Sequence, residues 1–400
     1  MKICIFIETY YPMMGGGESQ AQLLAEGLIT HGHSVTVLTR RSDASLKNHE
    51  RYGEVDVYRL APVGAGQLKK WGLVFSSIPA LFRLRDQFDL IFVSGYRIVG
   101  LTAVLIAKCL RKPVVLKADS QGEMSGDFFE NGLKKFGISH KLFWFQWFLR
   151  IRNSVLKRAD AFSAVSSEIA SEWISSGIPS EKIHLIPNGV NMKQFSPVEP
   201  AEKLALRKKL KLAEDATIAI YTGRLVSYKG LLMLVKVWND IRRKHENLLL
   251  VLAGTGGLDI HNCEEELREY VKFNGLEKDI LFTGAVKNVP DYLQASDLFV
   301  FPTENEAFGA SLLEAMACGL PVISTPVGAI KVMISNGENG FLIEPANALQ
   351  LFEALDVMFS NREHAARLGQ AARKSVEDRY AIETVTQKMI WLFEGLRSPR

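Results

Sequence analysis

The sequence predicts an α/β protein with two parallel β-sheets, and three observations support this prediction. Short apolar segments that suit buried strands alternate with longer helical segments through the whole chain. Glycine-containing turns follow several of these strands just where a helix begins. A proline-bracketed segment near residue 190 separates the strands into two series. A chain of 400 residues suits about two domains of ~100–200 residues each, so each series is expected to form its own domain.

The strand candidates are short apolar runs, and they fall into an earlier and a later series. The earlier series is Lys2–Ile7, Ser34–Leu38, Val55–Tyr58, Leu90–Val93, Val114–Leu116, Ala161–Val165 and Ile183–Ile186. The later series is Ile218–Thr222, Leu248–Ala253, Ile280–Thr283, Leu298–Phe301, Val322–Ser324 and Gly340–Ile343. Strands that alternate with helices favour parallel pairing, because a parallel connection must cross back over the sheet.

The segment between the two series is the best candidate for a hinge. Pro187-Asn188-Gly189 is followed by Phe195–Pro200 and by a charged helical segment from Ala201 to Leu212. We therefore expect one domain over residues 1–190 and a second over 191–379. An amphipathic helix is predicted from about Ala381 to Leu396, with no strand after it.

Composition excludes several classes of protein. Hydrophobic residues make up 47% of the chain and charged residues 23%, as in ordinary globular proteins, and the net charge of +4 does not indicate nucleic-acid binding. The four cysteines are far apart, which favours reduced thiols in the cytoplasm. The apolar run Ile3–Ile7 is too short for a signal peptide, and no segment approaches the ~20 apolar residues of a transmembrane helix. We expect a cytoplasmic protein that is soluble or peripheral on a membrane.

The most informative segment runs from Pro302 to Glu314. A predicted strand leads into a Phe-Gly turn, and an apolar helix from Ala310 to Cys318 leads out of it. The start of a helix after a strand presents free backbone N–H groups, which bind phosphate or sugar oxygens. Glu306 lies in the turn, and Glu314 projects from a helix that is otherwise nearly all apolar. A carboxylate there needs hydrogen-bond donors, which a ligand hydroxyl or a structural partner could supply.

These residues resemble a known family signature. Glu306-x-Phe308-Gly309-x-x-x-x-Glu314, followed by Ala315-Met316-Ala317-Cys318-Gly319-Leu320-Pro321-Val322-Ile323, closely resembles that of the retaining glycosyltransferases of family 4. The resemblance implies the GT-B fold, in which two Rossmann-like domains face a central cleft and the C-terminal helix, residues 380–400 here, crosses back to the first domain. It further implies that Glu306 and the turn Ala307, Phe308 and Gly309 hold the donor sugar, and that Glu314 binds the ribose.

Two cations follow the first strand of the second domain, in Gly223-Arg224-Leu225-Val226-Ser227-Tyr228-Lys229-Gly230. The carboxyl end of a parallel strand is the usual ligand edge of an α/β sheet. A departing diphosphate gains charge there, and arginine and lysine can stabilise it. Solvated surface cations are the alternative reading. The family has a Gly-Arg…Lys-Gly pair at this spacing, so the resemblance assigns Gly223, Arg224 and Lys229 to the donor.

Glycine turns after two other strands give weaker signals. The first strand leads into Gly15-Gly16-Gly17-Glu18 and then into an amphipathic helix, an arrangement that lets a backbone approach an anion or merely turn tightly. The turn Gly254-Thr255-Gly256-Gly257 has the same two readings. The resemblance places Gly15 and Gly16 against the donor diphosphate and the Gly254 turn beside the donor cleft. It places Val286, in Thr283–Lys287, beside the nucleotide base.

Two features that the sequence lacks bear on catalysis. No Asp-x-Asp pair occurs in the sequence, and no His and Cys residues have zinc spacing, so no metal site and no cofactor are expected. The family commonly has a histidine facing the donor sugar after a strand that corresponds to Pro113–Leu116. In this sequence Asp119 takes the place of that histidine. Its carboxylate cannot donate a hydrogen bond as an imidazole does, so the identity of the transferred sugar stays open.

The resemblance therefore predicts a metal-independent, retaining hexosyltransferase. It would move a sugar from a UDP- or GDP-sugar to a hydroxyl acceptor, such as a lipid-linked sugar, in polysaccharide, lipopolysaccharide or glycolipid synthesis. Glu306, Arg224, Lys229 and Asp119 are the expected catalytic residues. Two alternatives stay open, a nucleotide-sugar 2-epimerase of the same architecture and a non-catalytic nucleotide-sugar-binding protein. A dehydrogenase is disfavoured, because no strand is followed by G-x-G-x-x-G with an acidic residue ~20 positions on.

An aromatic and basic segment over residues 140–158 remains outside this scheme. Trp144, Phe148, Ile151 and Val155 form one apolar stripe, and Phe145 and Leu149 lie off it. The cations around them are Lys134, Lys135, Lys141, Arg150, Arg152, Lys157 and Arg158. Aromatic residues beside basic ones suit the headgroups of an anionic membrane. A buried helix or an aromatic acceptor wall is the competing interpretation.

Overall fold

The computed structural model describes residues 1–12, 15–64, 67–118, 120–127 and 143–397. The chain divides into two compact units, the first formed by Met1–Gly189 with Ile382–Arg400 and the second by Val190–Ala381. Each unit contains one mainly or wholly parallel sheet.

The first unit has an eight-stranded sheet. Its strands are Lys2–Ile7 (β1), Ser34–Arg40 (β2), His49–Tyr52 (β3), Val55–Leu60 (β4), Leu90–Ser94 (β5), Val114–Lys117 (β6), Ala161–Ala164 (β7) and Ile183–Leu185 (β8). Their order across the sheet is β3-β4-β2-β1-β5-β6-β7-β8. All neighbours are parallel except β3 and β4. At the centre, Ile3 of β1 pairs with Val35 on one side and Leu90 on the other.

Helices cover both faces of this sheet. The helices of the described residues up to Gly189 are Gly16–Thr30 (α1), Gln67–Arg83 (α2), Tyr96–Cys109 (α3), Phe143–Leu156 (α4) and Ser167–Ser175 (α5). The connection from β1 to β2 runs in the opposite direction to those from β4 to β8. Because parallel crossovers are right-handed, α1 lies on one face and α2 to α5 lie on the other. Consistent with this, α2 packs against α3, and α3 packs against α4.

The second unit has six parallel strands. They are Thr217–Thr222 (β9), Leu248–Ala253 (β10), Ile280–Gly284 (β11), Leu298–Phe301 (β12), Val322–Ser324 (β13) and Phe341–Leu342 (β14), in the order β11-β10-β9-β12-β13-β14. The helices are Pro200–Leu210 (α6), Leu231–Ile241 (α7), Glu264–Phe273 (α8), Val289–Gln294 (α9), Ala310–Ala317 (α10), Ile330–Met333 (α11), Ala348–Ser360 (α12) and Arg362–Arg379 (α13).

The last helix, Ile382–Gly395 (α14), belongs to the first unit although it follows the second in sequence. It packs against α1 and places Val385, Met389 and Phe393 in the core of the first unit. The ring of Phe393 lies 5.7 Å from that of Phe92 on β5. Helices α1 and α14 approach each other closely at Gly27, because a Cβ added to this glycine would lie 2.4 Å from the hydroxyl of Thr386 on α14.

Every strand predicted from the sequence is present, and β3 was not predicted. The sequence His49-Glu50-Arg51-Tyr52 lacks an apolar run, because this edge strand is exposed or half-buried along its length. It pairs antiparallel with β4, whose Val55 and Val57 face the core. Its formation therefore depends on a neighbour that local composition does not reveal.

The apolar stripe noted in α4 is not the face that this helix buries. Phe145, Leu149 and Leu156 are buried together with the guanidinium group of Arg152, whereas Phe148 and Ile151 are exposed. Arg152 donates a hydrogen bond of 2.9 Å to the carbonyl of Glu123, so it is an interior residue rather than a surface cation. Lys134, Lys135 and Lys141 lie outside the described residues. In the ranges that the structure covers, no helix combines the length and apolar character needed to cross a bilayer.

Candidate active site

The candidate site of the second unit lies where the order of its strands reverses. Strands β9 and β12 are neighbours at the middle of the sheet, and the connections that follow them run in opposite directions. Ligands of open α/β sheets bind at this position, beside the carboxyl ends of the strands. The loops that follow β9 and β12 contain Arg224, Lys229, Glu306 and the Phe308-Gly309 turn.

Close backbone contacts fix these two loops to each other. The N–H of Glu304 donates a hydrogen bond of 2.8 Å to the carbonyl of Tyr228. Gly230 has a φ of +68°, and a Cβ there would lie 2.1 Å from the carbonyl oxygen of Pro302. Only glycine combines this backbone conformation with such an approach. The glycine after Lys229 therefore keeps the two loops at contact distance.

Lys229 forms the central polar contact of the site. Its ammonium group lies 2.8 Å from a carboxylate oxygen of Glu306 and donates a hydrogen bond of 3.1 Å to the carbonyl of Asn305. The Lys229 side chain is only 9% exposed, and its ammonium lies 5.1 Å from the ring centre of Phe301. A buried ammonium group is costly unless it is paired, so Glu306 and Asn305 hold it in place.

Glu306 also contacts the turn that precedes α10. Its other carboxylate oxygen accepts hydrogen bonds from the backbone N–H groups of Ala307, at 3.0 Å, and Phe308, at 3.3 Å. Gly309 follows with a φ of +95°, a conformation that favours glycine, and it precedes the first helical residue, Ala310. The carboxylate thus binds the backbone of the turn that leads into α10.

Arg224 lies at the outer part of the same loop, and the sequence did not reveal its partner. Its guanidinium forms an ion pair with Asp259 and donates a hydrogen bond of 2.8 Å to the hydroxyl of Tyr228. The buried Tyr221 donates a hydrogen bond of 2.8 Å to the Arg224 carbonyl and fixes the backbone there. Tyr228 therefore lies between the two cations, since its ring centre is also 5.3 Å from the Lys229 ammonium.

The segment that carries Asp259 is tied to the β9 loop by its backbone. The N–H of Leu225 donates to the carbonyl of Thr255 at 3.1 Å, and that of Ser227 donates to His261 at 2.9 Å. The turn Gly254–Gly257 was a sequence candidate, but the carboxylate two residues beyond it was not. The only sequence signal for Asp259 is its place just after this glycine turn.

Glu314 is half-buried on α10. Burial raises the pKa of its carboxyl group to about 7. Within the ranges that the structure covers, no residue donates a hydrogen bond to this carboxylate. An ionised Glu314 therefore lacks stabilising donors among the described residues, and ligand hydroxyls could supply them.

Val286 and the glycine turn of the first unit were also predicted to bind the donor. Val286 is half-buried just past β11, at the same edge of the sheet as the β9 and β12 loops. In the first unit, Gly15 precedes α1 and Gly16 begins it. A Cβ added to Gly16 would meet no described atom within 4 Å, whereas one added to Gly15 would lie 2.5 Å from the carboxylate of Glu18.

The remaining predictions concern Asp119 and the absence of a metal site. Asp119 lies outside the described residues. Within the described ranges, no group of three His, Cys, Asp or Glu side chains is arranged to hold a metal ion. The polar groups that the second unit does bring together are two cations, the carboxylate of Glu306 and the N-terminus of α10. This set can bind an anion and orient hydroxyl groups beside it.

Comparison with known proteins supports this reading. Residues 14–194 match the family model for Glycosyltransferase Family 4, and residues 202–375 match the model for Glycosyl transferases group 1. The uncharacterized glycosyltransferase MJ1607 of Methanocaldococcus jannaschii is 26% identical over 403 residues, which cover 98% of each chain. A GDP-mannose-dependent alpha-(1-6)-phosphatidylinositol monomannoside mannosyltransferase of Mycobacterium tuberculosis is 28% identical over 269 residues, or 64% of this chain and 68% of that protein.

A solved structure extends the comparison to the fold. The crystal structure of Anabaena Alr3699/HepE in complex with UDP and glucose has a TM-score of 0.78 at 21% identity and covers all of both chains. Its two parallel α/β domains define the GT-B fold, which this protein shares. The chain belongs to glycosyltransferase family 4. The family and fold predicted from residues 306–323 are confirmed.

Proposed function

We propose that the protein is a retaining glycosyltransferase that transfers a sugar from a nucleotide diphosphate sugar to a hydroxyl acceptor. The observation that carries this proposal is the contact between Lys229 and Glu306 beside the N-terminus of α10. It places a phosphate-binding cation next to a carboxylate that can accept hydrogen bonds from sugar hydroxyls.

The proposed roles follow from these positions. Lys229 and Arg224 bind the diphosphate and stabilise it as it leaves, so that no metal ion or cofactor is required. Glu306, with the backbone of Ala307 to Gly309, orients the sugar. Glu314 accepts hydrogen bonds from the ribose, and Val286 contacts the base. A phosphate oxygen is the proposed ligand of the turn at Gly15 and Gly16.

The proposed reaction takes place on one face of the sugar. The bond between the anomeric carbon and the phosphate oxygen breaks, and the acceptor oxygen bonds to the same carbon from the same side. The acceptor proton passes to the departing phosphate oxygen, so that the configuration is retained. The protein lowers the barrier mainly by stabilising the charge on that phosphate.

Two of the compared proteins support UDP- and GDP-sugars as the donors to test first. UDP and glucose are bound in the Anabaena structure, and GDP-mannose is named for the mycobacterial relative. The latter also acts on a phosphatidylinositol mannoside, which supports a lipid-linked acceptor. We place the reaction in the synthesis of a polysaccharide, lipopolysaccharide or glycolipid, at the inner face of the cell membrane.

Titration calorimetry with UDP, GDP, ADP and NAD tests the donor class directly. The proposal expects UDP or GDP to bind at least tenfold more tightly than NAD. The matching nucleotide sugar is then incubated with and without a panel of sugar and lipid-linked acceptors, and NMR determines the anomeric configuration of the product. Conversion of the donor to a 2-epimer without an acceptor would identify an epimerase. Nucleotide binding without turnover on any acceptor would identify a binding protein, and an inverted product would exclude retention.

A further inference from the structure

Helix α2 presents an unusual surface to solvent. Trp71, Phe75, Ile78 and Phe82 are spaced by four, three and four residues, so they lie on one face, with exposed fractions of 45%, 74%, 39% and 38%. Leu73 and Leu81 on the opposite face are fully buried. The surface of a globular helix normally carries polar residues there. The face of α2 that the described residues of its own unit leave exposed is therefore apolar.

A second apolar line lies on α4. Phe143, Trp147 and Ile151 are spaced by four residues and are 82%, 60% and 45% exposed. Helix α3 packs against both α2 and α4 and exposes Leu105. The three helices cover the same face of the sheet. We call eight exposed apolar residues of these helices the aromatic face: Trp71, Phe75, Ile78, Phe82, Leu105, Phe143, Trp147 and Ile151.

The charges of these three helices all have one sign. The chain has 44 aspartate and glutamate residues among 400, but α2, α3 and α4 contain none. Their exposed charged residues include Arg83, Lys108 and Arg150. By contrast, α1, on the other face of the sheet, carries Glu18 and Glu26. Acidic residues are therefore missing from the three helices that expose the aromatic rings, whereas α5 on the same face carries Glu168 and Glu172, and Lys108 pairs with Asp160.

We infer that the aromatic face docks on the surface of an anionic phospholipid bilayer. Tryptophan and phenylalanine side chains insert at the level of the headgroups, and arginine and lysine beside them contact lipid phosphates. Each cation near an anionic leaflet adds attraction that salt screens. A second copy of the protein fits poorly, because it would bring two surfaces of the same charge together.

This inference deepens the proposed function, because it names the surface of the protein that contacts the membrane. It rests on the proposed peripheral location and not on the donor chemistry. It also shifts the contact from residues 140–158 alone to a surface in which α2 carries the longest exposed line. Arg152, which is buried, takes no part in it.

Sedimentation with vesicles tests the inference. We expect the protein to sediment with vesicles that contain phosphatidylglycerol and phosphatidylcholine, at least tenfold more strongly than with phosphatidylcholine alone. Raising the salt concentration from 0.05 to 0.5 M should weaken binding severalfold, in line with a Debye length of about 10 Å at 0.1 M. Equal recovery in the supernatant with both lipids would overturn the inference.

Variants locate the contact on the protein. Phe75→Ser combined with Trp147→Ser should reduce vesicle binding at least tenfold, and Arg83→Glu combined with Arg150→Glu should abolish its preference for anionic lipid. Phe273→Ser is the matched control, because Phe273 is 90% exposed on α8 of the second unit, and it should bind vesicles like the wild type. Because all five side chains are exposed, thermal melting should be unchanged, and this is measured for each variant.

The remaining outcomes separate this inference from the proposed function. Wild-type vesicle binding by the Phe75→Ser and Trp147→Ser variant would overturn the inference. So would a lipid-free dimer that this variant abolishes, because a second copy would then cover the face. Intact UDP or GDP binding without vesicle binding would leave the donor chemistry standing. Vesicle binding without nucleotide binding would leave the docking surface standing and remove the proposed function.

Discussion

The ammonium of Lys229 lies 2.8 Å from the carboxylate of Glu306, and both side chains are largely buried. Each group thus holds the other in place in the absence of a ligand. A donor diphosphate would compete with Glu306 for the ammonium and release the carboxylate toward the sugar. The pair is therefore the contact on which activity should depend most strongly.

Removal of either cation should slow the reaction. We expect Lys229→Ala and Arg224→Ala each to cost ~2–4 kcal/mol of transition-state stabilisation, which lowers kcat/KM about 30- to 1000-fold. The reason is that each substitution removes a group that neutralises the leaving phosphate. Lys272→Ala, at an exposed lysine on α8, serves as the control. Steady-state kinetics that show less than a threefold loss for both site variants would contradict their roles.

The two glutamates should affect different steps. Glu306→Ala should lower kcat with little change in the Kd for the nucleoside diphosphate, since the carboxylate is assigned to the sugar. Glu314→Ala should raise that Kd, since its carboxylate is assigned to the ribose. Calorimetry and kinetics on both variants measure the two effects. An identical profile, with nucleotide binding unchanged in both, would refute the assignments.

Nucleotide binding should depend on the ionisation of Glu314. Its pKa is raised from a usual value of 4.5 to about 7, so its carboxyl group is largely protonated below neutral pH. Ribose hydroxyls donate best to the ionised form, so affinity for the nucleoside diphosphate should rise as the pH increases through about 7. Calorimetry from pH 5.5 to 8.5 measures this change. The same measurement on Glu314→Gln gives the pH dependence that comes from the nucleotide's own phosphate. If the affinities of the two proteins change in parallel with pH, Glu314 is not responsible for the change.

The same shift predicts how stability varies with pH. A carboxyl group whose pKa is higher in the folded state binds more protons there than in the unfolded state. The contribution of Glu314 to the free energy of unfolding should therefore decrease as the pH rises from about 4.5 to 7. In urea unfolding over this range, Glu314→Gln should become more stable relative to the wild type as the pH increases. A constant difference between the two proteins would show that the pKa is not raised.

Asp259 should oppose binding of the diphosphate. Its carboxylate pairs with Arg224, so it competes with an incoming anion. Asp259→Asn should tighten binding of the nucleoside diphosphate about two- to fivefold, in keeping with ~1 kcal/mol or less for an ion pair whose arginine is exposed to solvent. The effect is opposite in sign to that of Arg224→Ala. Asp240→Asn, which alters an exposed aspartate 3.8 Å from Arg243, is the control. Weaker binding by Asp259→Asn would mean that the carboxylate instead positions the arginine.

Chelation should leave turnover intact. The two cations of the second unit are assigned the charge stabilisation that a divalent ion supplies in other transferases. Initial rates are measured after dialysis against EDTA and again after magnesium is restored. A complete loss on dialysis that magnesium reverses would contradict the metal-independent reaction.

The sequence predicted those parts of the structure that depend on local pattern. Strand ends fix the positions of Arg224 and Glu306, because the carboxyl ends of parallel strands share one edge of a sheet. The strand β3 escaped prediction because His49–Tyr52 is held by β4 rather than by its own composition. The buried face of α4 could not be predicted, because Arg152 reaches the carbonyl of Glu123, a contact between residues far apart in sequence. Asp259 was missed because a carboxylate in a polar turn has no distinguishing pattern.

The position of α14 has a consequence for how the protein is made. Its residues Val385, Met389 and Phe393 complete a core begun by β1 and α1, although nearly four hundred residues separate the two ends of that core in the chain. On the ribosome, residues 190–381 emerge as a continuous unit and can fold while the C-terminal segment is still being synthesised. The unit whose synthesis begins first is therefore the last to close its core, and until then the apolar side of α1 needs protection from aggregation.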